Sequence, residues 1–171
     1  MRVWSNMEDR GTNHDSFMDS DWGADVVNCH SVSRYLFSLG CGAISWSLKK
    51  QAAVATSSME AEYMASCHAI KEAMWLCSFL KLIGFEQKKA TLIHCDNNSS
   101  NSLCKDPTFH KRTKHIDIQY HYIQERVNAN DISFTHIPGG KNLVGALTKL
   151  LQHPHFEFLH SRLGIHLPIH D

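Results

Sequence analysis

SSMEAEYMASCHAIKEAMWLCSFLKLIG, residues Ser57 to Gly84, is the stretch that decides the reading of this chain. Ser57 followed three residues later by Glu60 forms a capping box, which satisfies the first free amides of a helix. An alanine-, methionine- and leucine-rich run then continues to Ile83, and Gly84 is the natural stop. A long helix is therefore expected over this stretch, and the segments on either side take their meaning from it.

Upstream lie three strand-like runs. Ser16 to Trp22 is the first, Ser31 to Leu39 alternates at Tyr35, Phe37 and Leu39, and Ala43 to Leu48 alternates at Ile44, Trp46 and Leu48. Gly40 and Gly42 punctuate the second connection, so the three runs predict an antiparallel meander. Downstream, Ala90 to Asp96 reads as a fourth strand and Asn98 to Lys105 as a short helix. Ile116, Tyr120, Ile123 and Val127 recur at helical spacing, Ile132 to Ile137 is a fifth strand, and Pro138-Gly139-Gly140 ends it. Leu143 to Leu151 resumes a helical pattern that is expected to run past Pro154 to Leu163. The predicted fold class is α/β, a five-stranded mixed sheet flanked by helices in the order βββαβαβα.

The 171 residues suit one domain, expected over 16–165, with an unmatched leader over 1–15 and a short tail over 166–171. At 43% apolar and 20% charged residues the composition is that of a folded domain rather than a disordered chain. Seventeen Lys and Arg balance seventeen Asp and Glu, so any nucleic-acid partner must be met by a local patch. Thirteen histidines make that neutrality conditional on pH. No signal-like or membrane-length apolar run is present, and the six cysteines occur singly without a C-x-x-C pair. The expectations are a soluble, intracellular protein with no membrane partner, reduced thiols in or near the core, and no zinc site.

Three acids stand where a sheet and a helix can bring them together: Asp19 in the first strand, Asp96 at the end of the fourth, and Glu62 in the opening turns of the long helix. Converging carboxylates make an oxygen-lined site suited to Mg²⁺ or Mn²⁺, and a pair of such ions can support phosphodiester hydrolysis.

Around these acids, MDSDWGAD (Met18 to Asp25), GAISWSLKKQ (Gly42 to Gln51), SSMEAEYMA (Ser57 to Ala65), CDN (Cys95 to Asn97) and HKRTKHIDI (His110 to Ile118) occur in order. Together they resemble the ribonuclease H domain of Ty1/copia-type retrotransposon Pol polyproteins, from about Asp19 to Ile165. The resemblance implies the ribonuclease H-like fold and hydrolysis of the RNA strand of RNA–DNA hybrids. It carries over Asp19, Glu62 and Asp96 as catalytic metal ligands for Mg²⁺ or Mn²⁺. Asp21 then reads as a supporting neighbour, and Glu60 as the capping acid. Reverse transcriptase and integrase portions of a Pol polyprotein are the implied partners.

Two departures from the family pattern bear on activity. Where the family carries Ala-Asp-x-Leu-Thr-Lys with a fourth acid, this chain reads Val144-Gly145-Ala146-Leu147-Thr148-Lys149. A glycine offers no side-chain ligand, so the two-metal site is expected to be weakened. Around Asn28-Cys29-His30 the usual basic residues are missing as well.

The stretch from Lys105 to Arg126 holds Lys111, Arg112, Lys114 and His115, a basic patch expected to contact the phosphate backbone. Lys49 and Lys50 are a second candidate contact or a charged sheet edge. Tyr120, at helical spacing with Ile116 and Ile123, is expected in the core. The functional expectation is a metal-dependent ribonuclease H in a truncated and impaired Pol fragment. The alternative is a catalytically inactive nucleic-acid-binding relic of the same fold. A transposase-like site ranks last, because only Glu125 approaches the position that it needs.

Overall fold

The computed structural model describes residues 15–25, 27–40, 42–96, 114–147 and 151–163, the side chains of 114–117 and of 146 and 147 excepted. Five strands and three α-helices follow one another as β1 (Ser16–Asp21), β2 (Val32–Leu39), β3 (Gly42–Lys50), α1 (Ser58–Leu82), β4 (Thr91–Cys95), α2 (Lys114–Asn128), β5 (Ile132–His136) and α3 (His153–Arg162). Short 3₁₀ turns over Gly139–Lys141 and Leu143–Leu147 join β5 to α3. The expected short helix at Asn98 to Lys105 lies outside the described residues.

The sheet order is β3-β2-β1-β4-β5. β1, β2 and β3 form the antiparallel meander, while β4 runs parallel to β1 and β5 parallel to β4. The sheet is thus mixed, as the element order required. Gly40, at φ +65°, makes the β2–β3 turn in a conformation that side-chain-bearing residues rarely adopt.

Helix α1 begins and ends where its sequence directs. Ser57 Oγ accepts from the Glu60 amide at 3.2 Å. The Glu60 carboxylate reaches one residue further back than a standard capping box, accepting from Thr56 N at 2.8 Å and Thr56 Oγ1 at 2.5 Å. At the other end the Phe85 amide donates to Leu80 O and the Gly84 amide to Lys81 O. With Gly84 at φ +89° this is a Schellman closure, the geometry for which the glycine is suited.

Alternation along the strands divides the core into two layers. Met18, Tyr35, Phe37, Ile93 and Cys95 face α1 and α2, packing with Tyr63, Ile70 and Ile123. Phe17 and Leu36 point the other way, onto Leu143, Val144, Leu159 and Leu163. Tyr120 is partly buried against the first layer, edge-on to Tyr63 at 5.9 Å, in keeping with a core role. Cys67 and Cys95 are buried as expected, whereas Cys29 is exposed in the β1–β2 loop. Among the described residues no helix is long and apolar enough to cross a membrane.

The C-terminal helix differs from its expectation. A continuous run from Leu143 past Pro154 is replaced by a 3₁₀ turn over Leu143–Leu147 and a new helix starting at His153. Proline lacks the amide that an interior helical position must donate, but fits the first turn of a helix, where no such bond is made. Pro154 accordingly sits in the first turn of α3 behind the Gln152 N-cap.

Two half-buried histidines set a pH dependence. His68 lies edge-on to Tyr35 and His94 stacks on Phe17, both at 5.0 Å between ring centroids. Burial pushes both below the ordinary 6.5, with Lys49 lowering His68 further. The unfolded chain therefore takes up protons first as pH falls, and stability is lost below about pH 6.5, by at most about 1.4 kcal/mol per pH unit for each histidine. Urea midpoints measured from pH 7.5 to 5.5 should decline, and His94→Gln should flatten the slope; an unchanged slope would remove His94 as a contributor.

Candidate active site

Met18 of β1 pairs in register with Cys95 of the parallel strand β4. Each is followed by an acid, so Asp19 and Asp96 stand side by side at the C-terminal ends of adjacent parallel strands. In open α/β sheets that is where ligands bind. Asp19 is buried within the last residues of β1. Asp96 lies just past β4, pressed against the turn that follows β5: a Cβ built on Gly139 would sit 3.2 Å from Asp96 Oδ2. That backbone is fixed beside it by the Ile137 amide, which donates to Cys95 O at 2.8 Å.

Glu62 reaches the same strand from the opposite layer. It is buried in the second turn of α1 and accepts from Ser20 Oγ at 2.8 Å. Ser20 alternates with Asp19, so helix and strand present their carboxylates from the two sides of β1. Glu60 faces its own N-terminal turn, where it does the capping work described above.

Asn142 brings the chain's C-terminal portion onto this strand. Its side chain is almost wholly buried, donates from Nδ2 to Met18 O at 3.0 Å, and accepts the Val144 amide on Oδ1 at 3.3 Å. The Leu143–Leu147 turn, with Gly145 buried in it, is thereby docked on β1 next to Asp19. The Gly145 amide donates to Asn142 O at 3.0 Å. No carboxylate comes from position 145.

The dominant electrostatic feature was not legible as a site residue. Arg34, directly opposite Asp19 in the β1–β2 register, is only 5% exposed. Its Nη1 donates to Asp19 Oδ2 at 2.9 Å and its Nη2 to Asp21 Oδ2 at 2.6 Å. Asp21, expected to support a metal site, instead shares this guanidinium. Breaking a buried pair by deleting one partner typically costs about 3–5 kcal/mol, because the other charge is left unpaired. The available signal was a single charged residue within β2, whose other residues are apolar or serine.

Three carboxylates are the right kind of donor for Mg²⁺ or Mn²⁺, which take oxygen ligands. Their arrangement does not fit an ion: Arg34 holds an oxygen of Asp19, Glu62 is turned to Ser20, and among the described residues no three His, Cys, Asp or Glu side chains converge as a metal-binding group. Of the expected substrate contacts, Lys111 and Arg112 lie outside the described residues. Lys114 and His115 open α2, and only their backbone is described. Lys50, on the edge strand β3, is ion-paired with Asp25, whose carboxyl it holds well below the usual carboxylate range.

No family model matches the chain. Its sequence is 37% identical over 150 residues to the "Retrovirus-related Pol polyprotein from transposon RE1" of Arabidopsis thaliana, covering 88% of this chain and 10% of that protein. It is 39% identical over 150 residues to the "Retrovirus-related Pol polyprotein from transposon TNT 1-94" of Nicotiana tabacum, covering 88% and 11% respectively. The chain thus spans about a tenth of the length of these relatives. Its structure is similar to that of RNase H1 from the archaeon Halobacterium salinarum, with a TM-score of 0.51 at 13% identity, covering 77% of this chain and 89% of that one. At that identity the likeness is one of fold, and the fold is ribonuclease H-like. The chain thus has a ribonuclease H-like fold, and its sequence is similar to a segment of retrotransposon Pol polyproteins.

Asn142→Ala tests the docking of the C-terminal turn. It leaves the Met18 carbonyl without its buried donor, and should lower stability by about 1–3 kcal/mol in urea denaturation. A loss within error of zero would show that the 3₁₀ turn docks without it.

Proposed function

We propose that this chain is a ribonuclease H whose hydrolysis of the RNA strand of RNA–DNA hybrids is impaired, while binding of the hybrid is retained. The observation that supports this reading is the Met18–Cys95 register pair, each partner followed by an acid, Asp19 and Asp96, with Glu62 on the covering helix and Gly145 in the turn docked on β1, at the position where the resemblance implies a fourth acid. Such a strand-end site is lined by oxygen donors of the kind that phosphodiester hydrolysis uses. It lacks one carboxylate and has another in an ion pair. The relatives' names place the segment within Pol polyproteins, which supports reverse transcriptase and integrase portions as its working partners.

Binding is assigned to Lys111, Arg112, Lys114 and His115. Three permanent cations on three phosphates give a salt slope of about −2.7, so affinity should fall roughly 40-fold between 50 and 200 mM salt. The Arg34–Asp19 pair favours a second reading, in which the domain binds hybrids and does not cleave them at all.

Incubation of the purified chain with a labelled hybrid and Mg²⁺ or Mn²⁺ separates the two. Weak cleavage that Asp96→Asn abolishes and Gly145→Asp raises by about tenfold or more, equivalent to about 1.4 kcal/mol of barrier, supports the impaired enzyme. Binding without cleavage in both the native chain and Gly145→Asp supports the relic. Robust native cleavage unaffected by Asp96→Asn would overturn the site assignment.

A further inference from the structure

We propose that the Arg34 guanidinium is the resident cation of this site, competing with a divalent metal ion for Asp19, so that Mg²⁺ or Mn²⁺ binds there much more weakly than it does once Arg34 is removed. The proposal rests on the reading of Asp19 as the position of a ribonuclease H metal ligand, and on four features of Arg34 itself.

The residue is on an inner strand and points at Asp19 by register rather than by chance of rotamer, since Asp19 and Arg34 are direct partners across β1 and β2. Its side chain is 5% exposed, so the head group is not extended to solvent as surface arginines usually are. It bridges two carboxylates at 2.9 and 2.6 Å, one buried and one half-exposed. Its Nε is buried with no hydrogen-bond partner among the described residues, so the group is held chiefly through its two acidic contacts.

These features define a competition. A Mg²⁺ ion needs carboxylate oxygens at about 2.0–2.1 Å and near-octahedral surroundings. Asp19 Oδ2 is already engaged by a guanidinium nitrogen, and bringing a divalent ion to the same carboxylate would set like charges at contact distance in a site shielded from water. Lysine or histidine could yield by losing a proton. Arginine cannot, because it stays charged at every accessible pH. The ion can therefore enter only if a buried side chain swings out and leaves Asp21 as well.

Mn²⁺ binding, read by electron paramagnetic resonance of the free ion, tests this without reference to cleavage. The native chain should leave added Mn²⁺ largely free. Arg34→Gln should bind one Mn²⁺ roughly tenfold or more tightly than the native chain. Adding Asp19→Asn to Arg34→Gln should abolish the gain. If Arg34→Gln unfolds in the absence of metal, Mn²⁺ should restore its circular dichroism, and failure to do so would count against the proposal. A folded Arg34→Gln with no gain in affinity would overturn it. So would a native chain that binds Mn²⁺, at a site lost in Asp19→Asn, as tightly as Arg34→Gln does. Should Arg34→Gln acquire Mn²⁺ at Asp19 yet neither bind nor cleave a hybrid, the cation replacement stands and the hydrolase reading falls.

Discussion

β1 is hydrogen-bonded along both edges and covered on both faces, and this double confinement is the constraint on which the rest of the molecule is built. Its antiparallel partner β2 and parallel partner β4 fix the register of the whole sheet. Met18 is completely buried towards α1 and Phe17 nearly so towards the C-terminal turn and helix. A strand confined in this way has little freedom to host a charge. A positive group meets Asp19 near its end, and in this chain that partner is Arg34.

The consequence for chemistry follows from the same geometry. Asp19 and Asp96 are adjacent because Met18 and Cys95 are in register, and Glu62 approaches because α1 lies across the face that Met18 helps to form. The scaffold therefore puts Asp19 and Asp96 on neighbouring strands and Glu62 against Ser20 on the other side of β1. Whether they act as a metal cage is decided by individual side chains: the arginine across from Asp19, the serine that engages Glu62, and the glycine at position 145. The fold and the competence of the site are separable properties here, as is common where a function is grafted on a widely used architecture.

Most of the fold was legible in the sequence because its elements are locally determined. The Ser57–Glu60 cap and the Gly84 stop bound α1 to within one residue, and the alternations of β2 and β3 predicted a meander that the sheet contains. The C-terminal helix was less legible, since apolar spacing continues through Leu151 and only the position of Pro154 within a first turn marks the restart. At the site, the strand position of Asp19, the place of Asp96 at the end of β4 and the helical position of Glu62 could be read directly. Arg34 could not be placed, because its importance comes from a residue fifteen positions away. Asn142 was equally hidden, since its partner is the Met18 carbonyl, 124 residues distant.

The sequence by itself determined the order of the five strands and of helices α1 and α2, the acids available to a site, and the absence of an acid at position 145, because each depends on spacing, capping or residue identity alone. Only the tertiary structure decided that Arg34 faces Asp19, that Glu62 turns to Ser20, and that Asn142 docks the Gly145 turn on β1. Those contacts depend on strand register and on which face of β1 each side chain occupies, and a pairing shifted by one residue would exchange them all.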